Sequence, residues 1–130
     1  MIAVDTSALM AIVLDEPQAA ACIDAIEVEE RVLISAGTMV ESLIVAARRN
    51  VRDEVAGLIM GLGFEVVPVT SISAPEIGDA YERCGRGSSA AGLNFGDCFA
   101  YQVARAHGCR LLYVGEDFAR TDIEGVLSPR

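Results

Sequence analysis

The chain opens on Ile2-Ala3-Val4-Asp5-Thr6-Ser7, an apolar run that ends in one acidic residue and two hydroxyl residues. A short apolar run of this kind is typical of a buried strand, and an aspartate followed by hydroxyl residues is typical of a helix N-cap. The stretch therefore predicts a strand that leads directly into a helix. It also places Asp5 at the carboxyl end of that strand, the edge at which parallel α/β sheets bind ligands.

The rest of the chain alternates short apolar runs with segments of helical periodicity. Short strands that alternate with helices indicate an α/β fold, a sandwich in which helices flank a mostly parallel central sheet. A loop rich in Gly and Ser is predicted over Cys84–Asn94, and residues 1–130 are predicted to form a single domain. The predicted strands are Ile2–Val4, Arg31–Ser35, Phe64–Val69, Leu111–Val114 and an edge strand Ile123–Leu127; the predicted helices are Ala8–Leu14, Gln18–Val28, Thr38–Arg49, Arg52–Leu62, Ser73–Arg83 and Phe95–Ala106.

Composition constrains the partners. The chain has 130 residues, of which 52% are hydrophobic, and a net charge of −9. The high apolar share predicts that some apolar surface lies at an interface. A strongly acidic chain is poorly suited to general nucleic-acid binding, because phosphate contacts need Lys and Arg. Two explanations of the charge remain open: acids concentrated in one site and neutralised by a divalent cation, or a basic protein partner.

The cysteines and the N-terminus indicate the compartment. Cys22, Cys84, Cys98 and Cys109 form no CxxC pair, which argues against a zinc site and favours reduced, structural thiols. The N-terminus carries no basic region followed by a long apolar stretch, so no signal peptide is predicted, and no apolar run is long enough to span a membrane. We therefore expect a soluble, cytoplasmic protein.

Three acidic residues lie on segments that should be largely buried. Asp5 ends an apolar strand, and Glu41 and Asp97 have apolar neighbours three and four positions further along their helices. Each has a structural alternative: Asp5 as a helix cap, Asp97 as a first-turn residue capped by Asn94, and Glu41 as a partly exposed helix residue. Converging carboxylates would repel one another and need protonation or a cation, and hard oxygen ligands without His or Cys select Mg²⁺ or Mn²⁺.

Other enzyme classes that place an acid after the first strand lack their partner residues in this chain. A phosphatase with an aspartyl nucleophile would show Asp-x-Asp where Asp5-Thr6-Ser7 stands, and a phospho-accepting receiver domain needs a lysine, which the chain lacks. No G-x-G-x-x-G follows the first strand, which excludes a typical dinucleotide site.

At this point the sequence resembles the PIN-domain nucleases, and within them the VapC toxins of VapBC toxin–antitoxin systems. Order, spacing and length match over essentially the whole chain, and the third motif is the most specific. The four stretches that carry the resemblance are Ile2-Ala3-Val4-Asp5-Thr6-Ser7-Ala8-Leu9, Met39-Val40-Glu41-Ser42-Leu43, Leu93-Asn94-Phe95-Gly96-Asp97-Cys98, and Leu111-Leu112-Tyr113-Val114-Gly115-Glu116-Asp117-Phe118 with Thr121-Asp122-Ile123.

The resemblance implies a PIN-like three-layer sandwich and an RNA endonuclease that uses Mg²⁺, with Mn²⁺ as a possible substitute. Asp5 and Asp97 correspond to the usual metal ligands, and Glu41 corresponds to the second-motif acid. Asp117 matches best as the fourth acid, with the adjacent Glu116 as the alternative. Thr6 and Ser7 are expected either to position substrate or water or simply to cap the first helix.

The resemblance also implies partners. Members of the family form homodimers and are inhibited by a small VapB-type antitoxin, which often places an Arg near the carboxylates, and a basic inhibitor would suit the charge of −9. The loop before Asn94 is often basic in the family, whereas Arg86-Gly87-Ser88-Ser89-Ala90-Ala91 is mostly neutral, so this loop is not expected to supply many RNA contacts. The competing interpretation is a non-catalytic acidic module that holds a basic partner.

Overall fold

A computed structural model describes residues 1–87 and 89–127 of the chain. Four short strands and six helices alternate along these residues. The strands are β1 (Ile2–Val4), β2 (Val32–Ser35), β3 (Glu65–Val67) and β4 (Arg110–Leu112), and the helices are α1 (Thr6–Val13), α2 (Ala19–Glu27), α3 (Ala36–Arg48), α4 (Arg52–Gly61), α5 (Ser73–Cys84) and α6 (Phe95–His107).

The four strands form one parallel sheet in the order β3-β2-β1-β4. Ala3 of β1 lies between Leu33 of β2 and Leu111 of β4. The chain thus builds outward from β1 through β2 to β3 and then returns to the other side of β1. This reversal of strand order puts a crevice at the carboxyl ends of β1 and β4, where open α/β sheets bind their ligands.

Two apolar clusters lie on opposite faces of the sheet and make three layers. Ile2 and Val4 point into a cluster with residues from α1 to α4, whereas Ala3, between them, points into a cluster with residues from α5 and α6. This alternation follows from the two-residue period of a strand. All residues of β1 and β2 are buried, as expected for central parallel strands covered by helices on both faces. The predicted fold class, a mostly parallel sheet between helical layers, is confirmed.

The predicted element boundaries needed corrections that have identifiable causes. Helix α1 begins at Thr6, two residues before the predicted start, because the Asp5 side chain accepts a hydrogen bond from the Ser7 amide and caps the helix there. Strand β4 ends at Leu112, before the predicted Val114, whose amide donates to the Ser7 hydroxyl at 3.0 Å rather than to another strand.

The predicted edge strand at Ile123–Leu127 is wrong as a strand. Only Gly125 pairs with the sheet, through a single parallel bridge to Leu111. The two hydrogen bonds that flank this bridge run from the Leu111 amide to the Glu124 carbonyl and from the Val126 amide to the Leu111 carbonyl, each 3.0 Å long. Strand β3, predicted as Phe64–Val69, is shorter and lies at the opposite edge of the sheet, with Glu65 and Val66 exposed.

All four cysteines are free thiols. Across residues 1–87 and 89–127, none of the helices combines the length and the apolarity that crossing a bilayer requires.

Candidate active site

Asp5 lies at the junction of β1 and α1 and is only 4% exposed. Its Oδ2 accepts hydrogen bonds from the Ser7 amide at 3.0 Å and from the Ser7 hydroxyl at 2.7 Å. The Ser7 hydroxyl in turn accepts from the Val114 amide, so the segment after β4 helps to orient the carboxylate. The second oxygen, Oδ1, is buried and has no hydrogen-bond partner among the described residues. A buried carboxylate oxygen without a partner is costly unless it has a ligand.

Asp97 lies in the first turn of α6 and is 5% exposed. It forms a capping box with Asn94: the Asn94 amide donates to Asp97 Oδ2 at 3.0 Å, and the Asp97 amide donates to Asn94 Oδ1 at 2.8 Å. The capping roles considered for Asp5 and Asp97 are therefore both real, but each cap uses one carboxylate oxygen. Capping and ligand binding are compatible at these two positions.

Glu41, half-buried on α3, is held on two sides. Thr6 donates to Glu41 Oε1 at 2.7 Å, which ties the start of α1 to α3. On the other side lies Gly96, at the start of α6, where a Cβ atom would overlap the Glu41 carboxylate. Glycine at this position lets α6 approach close enough for the third-motif and second-motif acids to share one site.

The buried carboxylates have raised pKa values, to which their mutual repulsion contributes. Burial and, to a lesser extent, the negative charges of Asp5, Asp117 and Glu41 raise the pKa of Asp97 to about 7, against the opposing hydrogen bond from the Asn94 amide. Burial, with a smaller contribution from the charge of Glu41, raises the pKa of Asp5 to about 6 against the opposing hydrogen bonds from Ser7. The other three acids singled out in the sequence thus lie within electrostatic range of Asp97.

Asp117 and Glu116, the two candidates for the fourth acid, act electrostatically on different groups. Both Asp117 and Glu116 are exposed on the turn after β4. The charge of Asp117 raises the pKa of Asp97, whereas the charge of Glu116 raises the pKa of Tyr113. Asp117 is therefore the one of the pair whose charge acts on Asp97.

The donor set fits a hard divalent cation. Over residues 1–87 and 89–127, no group of three or more His, Cys, Asp or Glu side chains is arranged so that it could hold a metal ion. Mg²⁺ is usually held by one or two carboxylates together with water and substrate phosphate, so a complete protein cage is not required. The unpartnered Oδ1 of Asp5, close to the charge of Asp97, provides a ligand of the required chemistry.

Sequence reasoning identifies part of the support of the site. It leaves Thr6 and Ser7 open between capping the helix and positioning substrate or water; in the structure the Thr6 hydroxyl donates to Glu41 and the Ser7 hydroxyl donates to Asp5. It misses the role of Gly96, which enters only as part of a motif. A glycine one residue before the third-motif acid, in an otherwise regular helical segment, is the signal that could have indicated close approach of a neighbouring side chain.

Comparisons with known proteins agree on one family. The profile of the PIN domain matches residues 2–124. Ribonuclease VapC30 of Mycobacterium tuberculosis is 37% identical over 131 residues, which cover 97% of this chain and 98% of the relative. Among solved structures, the VapC20 toxin of Mycobacterium tuberculosis, described as cleaving the sarcin-ricin loop, superposes with a TM-score of 0.77 at 18% identity, covering 95% of this chain and 96% of that one.

A second structural neighbour is FitAB bound to an IR36 DNA fragment, with a TM-score of 0.65 and 21% identity over 96% of this chain and 93% of that one. At these identities the two structures support the fold, while the profile match and the VapC30 relative establish the family. The chain therefore belongs to the PIN-domain family, as its four acidic motifs predicted.

Proposed function

We propose that the protein is the toxin of a VapBC-type toxin–antitoxin system and that it hydrolyses RNA phosphodiester bonds with the help of Mg²⁺, for which Mn²⁺ can substitute. The observation that carries the proposal is the buried, unpartnered Oδ1 of Asp5 within a group of mutually repelling carboxylates. The relationship to VapC ribonucleases supplies the reaction class. We take residues 1–130 to act as one domain.

Asp5 and Asp97 are the proposed metal ligands, because each keeps one carboxylate oxygen in a cap and leaves the other for a ligand. Glu41 and Asp117 complete the acidic site directly or through water. When bound, a divalent ion activates a water nucleophile and offsets the negative charge that develops on the phosphoryl oxygens.

Side chains of the protein hold the acidic residues of the site in position. Ser7 holds the Asp5 carboxylate through its hydroxyl and its amide, and Thr6 holds Glu41. Held in this way, the carboxylates need little reorganisation when substrate binds, which is how preorganised sites lower a barrier. Because the pKa of Asp97 is raised to about 7, a cation held by this carboxylate would compete with a proton near neutral pH.

A cognate VapB-type antitoxin and a second copy of the chain are the proposed protein partners. The net charge of −9 favours a basic inhibitor. For the homodimer, the support is the outer face of α3, where Val40 and Ile44 are 57% and 50% exposed and line an apolar groove with Leu43 and Ala47. We also propose that the protein acts in the cytoplasm, in keeping with its free thiols.

An RNA cleavage assay tests the proposal. Purified wild-type protein is incubated with total RNA in the presence of Mg²⁺ or Mn²⁺, with and without EDTA. We expect cleavage that EDTA abolishes, and loss of cleavage in Asp5→Asn and Asp97→Asn. Asp24→Asn, which removes an exposed carboxylate from α2, is the matched control and should cleave normally.

Absence of cleavage by the wild type with either ion, or equal cleavage by Asp97→Asn, would refute the nuclease assignment. The competing acidic binding module predicts tight binding of a basic partner without any cleavage. The stable complex with an antitoxin should show little activity until the antitoxin is removed, and full activity in that complex would contradict the toxin assignment.

A further inference from the structure

Two aromatic side chains of the protein are exposed. The chain contains four Phe and three Tyr, and only Phe95 and Tyr81 are more than a third exposed, at 72% and 40%. Both line one apolar groove between α5 and α6, together with Phe99 and Val69. Exposed aromatic residues that share one groove indicate a contact surface rather than scattered surface residues.

Phe95 lies beside the acidic site. It is the first residue of α6, directly after the Asn94 cap and two positions before Asp97. At a helix rise of about 1.5 Å per residue, Phe95 begins about 3 Å along the axis from Asp97. The next residue, Gly96, lies directly against the Glu41 carboxylate, so Phe95 is one residue away from a contact with the acidic site.

The Phe95 ring rests on a defined support. It meets the Phe99 ring edge-to-face, with centroids 5.0 Å apart and an interplanar angle of 89°. Phe99 in turn packs over Gly37 at the start of α3, where a Cβ atom would overlap its ring. The Phe95 ring thus has one aromatic contact within the protein while most of its surface faces solvent.

Because the protein is strongly acidic, RNA binding would need a source of affinity other than positive charge. An RNA-binding site usually draws its affinity from Lys and Arg at phosphates, but this chain has no lysine and a net charge of −9. Between Gly85 and Phe95, the loop that precedes the third motif carries one basic residue, Arg86. Stacking of bases on aromatic rings provides affinity that does not depend on positive charge.

We propose that Phe95 is a stacking platform for an unpaired base next to the scissile phosphate, with Tyr81 as the second aromatic wall of the groove. This inference rests on the proposed ribonuclease function and assigns it a substrate-positioning residue. A base can stack on a side chain only when it is free of its neighbours, so Phe95 acts on a base that is unpaired in the substrate.

The test combines variants of the protein with variants of the RNA. From an unpaired RNA that the wild type cleaves, a series is made in which one base at a time is replaced by an abasic site. We expect kcat/KM of the wild type to fall about 10- to 100-fold at one position near the cleaved bond. Phe95→Ala should lose a similar factor on intact RNA and show no further loss when that same base is missing.

Two further variants separate stacking from simple apolar contact. Phe95→Tyr keeps an aromatic face and should retain most of the activity, whereas Phe95→Leu should behave like Phe95→Ala. Met60→Ala, which truncates a side chain that is 79% exposed on α4, is the matched control and should be unaffected. Thermal melting of each variant confirms that the substitutions leave the fold intact.

The inference is overturned if Phe95→Ala cleaves intact RNA as fast as the wild type, or if it loses activity equally at every abasic position. It is also overturned if Phe95→Ala cleaves normally but no longer binds the inhibitor protein, since the groove would then serve a protein partner. In each of these results the wild type still cleaves RNA, so they leave the ribonuclease function standing. Absence of cleavage by the wild type would refute that function and this inference together.

Discussion

Replacement of Asp97 by Asn should make the metal-free protein more stable while it removes activity. The pKa of Asp97 is raised to about 7 by burial and by the charges of Asp5, Asp117 and Glu41, so at pH 8 its ionised form opposes folding. Asparagine retains an oxygen that can accept the hydrogen bond from the Asn94 amide. The substitution therefore removes the repelled charge and keeps the helix cap.

The magnitude follows from the pKa. A shift from 3.8 to about 7 corresponds to an upper bound of roughly 4 kcal/mol at pH 8. Solvent screening reduces this figure, because Asp117, one of the repelling acids, is exposed. We expect a gain of about 1 to 3 kcal/mol in the free energy of unfolding, or about 4 to 12 °C in Tm for a domain of this size.

The pH dependence of the stability gain shows whether ionisation of Asp97 causes it. Because the pKa of Asp97 is higher in the folded protein than in the unfolded chain, the folded protein binds the extra proton between about pH 4 and pH 7. Wild-type stability in EDTA should fall as the pH rises through this range, and the advantage of Asp97→Asn should vanish near pH 4 and grow toward pH 8.

Thermal melting from pH 4 to pH 8 in EDTA measures the effect, with Asp24→Asn as the control that leaves Tm unchanged. Addition of Mg²⁺ should raise the Tm of the wild type by mass action and raise that of Asp97→Asn much less. If Asp97→Asn is no more stable than the wild type at pH 8, or if its advantage does not change with pH, the assignment of Asp97 to a repelling acidic cluster is wrong.

Two further substitutions test the close approach at Gly96 and the choice of the fourth acid. Gly96→Ala should displace the Glu41 carboxylate and lower kcat by about 100-fold. The control is Gly57→Ala, at an α4 position with open space, which should leave kcat unchanged and add about 1 kcal/mol to the free energy of unfolding. Equal activity of the two variants would contradict the packing argument. Asp117→Asn should lower kcat roughly 10- to 100-fold, because the charge of Asp117 acts on the buried Asp97. Glu116→Gln should change kcat less than about twofold. A larger effect of Glu116→Gln in the same kinetic assay would make Glu116, and not Asp117, the fourth acid of the site.

The fold could be predicted from sequence wherever burial alone decides it. Ile2–Val4 and the apolar run before Ser35 are buried on both faces, and such strands leave a clear local pattern. The ends of strands and helices are harder to predict where a contact with a distant segment determines them. The Val114 amide donates to the Ser7 hydroxyl across the sheet, and no local pattern contains that contact. The Ile123–Leu127 segment has strand-like composition but makes only one bridge.

The candidate site could be predicted in part. Asp5 stands out because it ends an apolar strand, and Asp97 because it has apolar neighbours on its own helix face, but whether these residues act as caps or as ligands depends on individual oxygens. Asp117 and Glu116 are adjacent in sequence and equivalent in type, so only their directions in the fold separate them. The close approach at Gly96 involves a carboxylate from another helix and could not be inferred from the motif alone.

The central claim is that Asp5 and Asp97 hold a divalent cation at the carboxyl ends of β1 and β4. Crystals soaked in Mn²⁺ and measured near the manganese absorption edge test it most directly. We predict an anomalous peak within coordination distance, about 2.0–2.3 Å, of Asp5 Oδ1 and an Asp97 carboxylate oxygen, and its loss in Asp97→Asn. A peak elsewhere, or no peak in wild-type crystals at saturating Mn²⁺, would contradict the account.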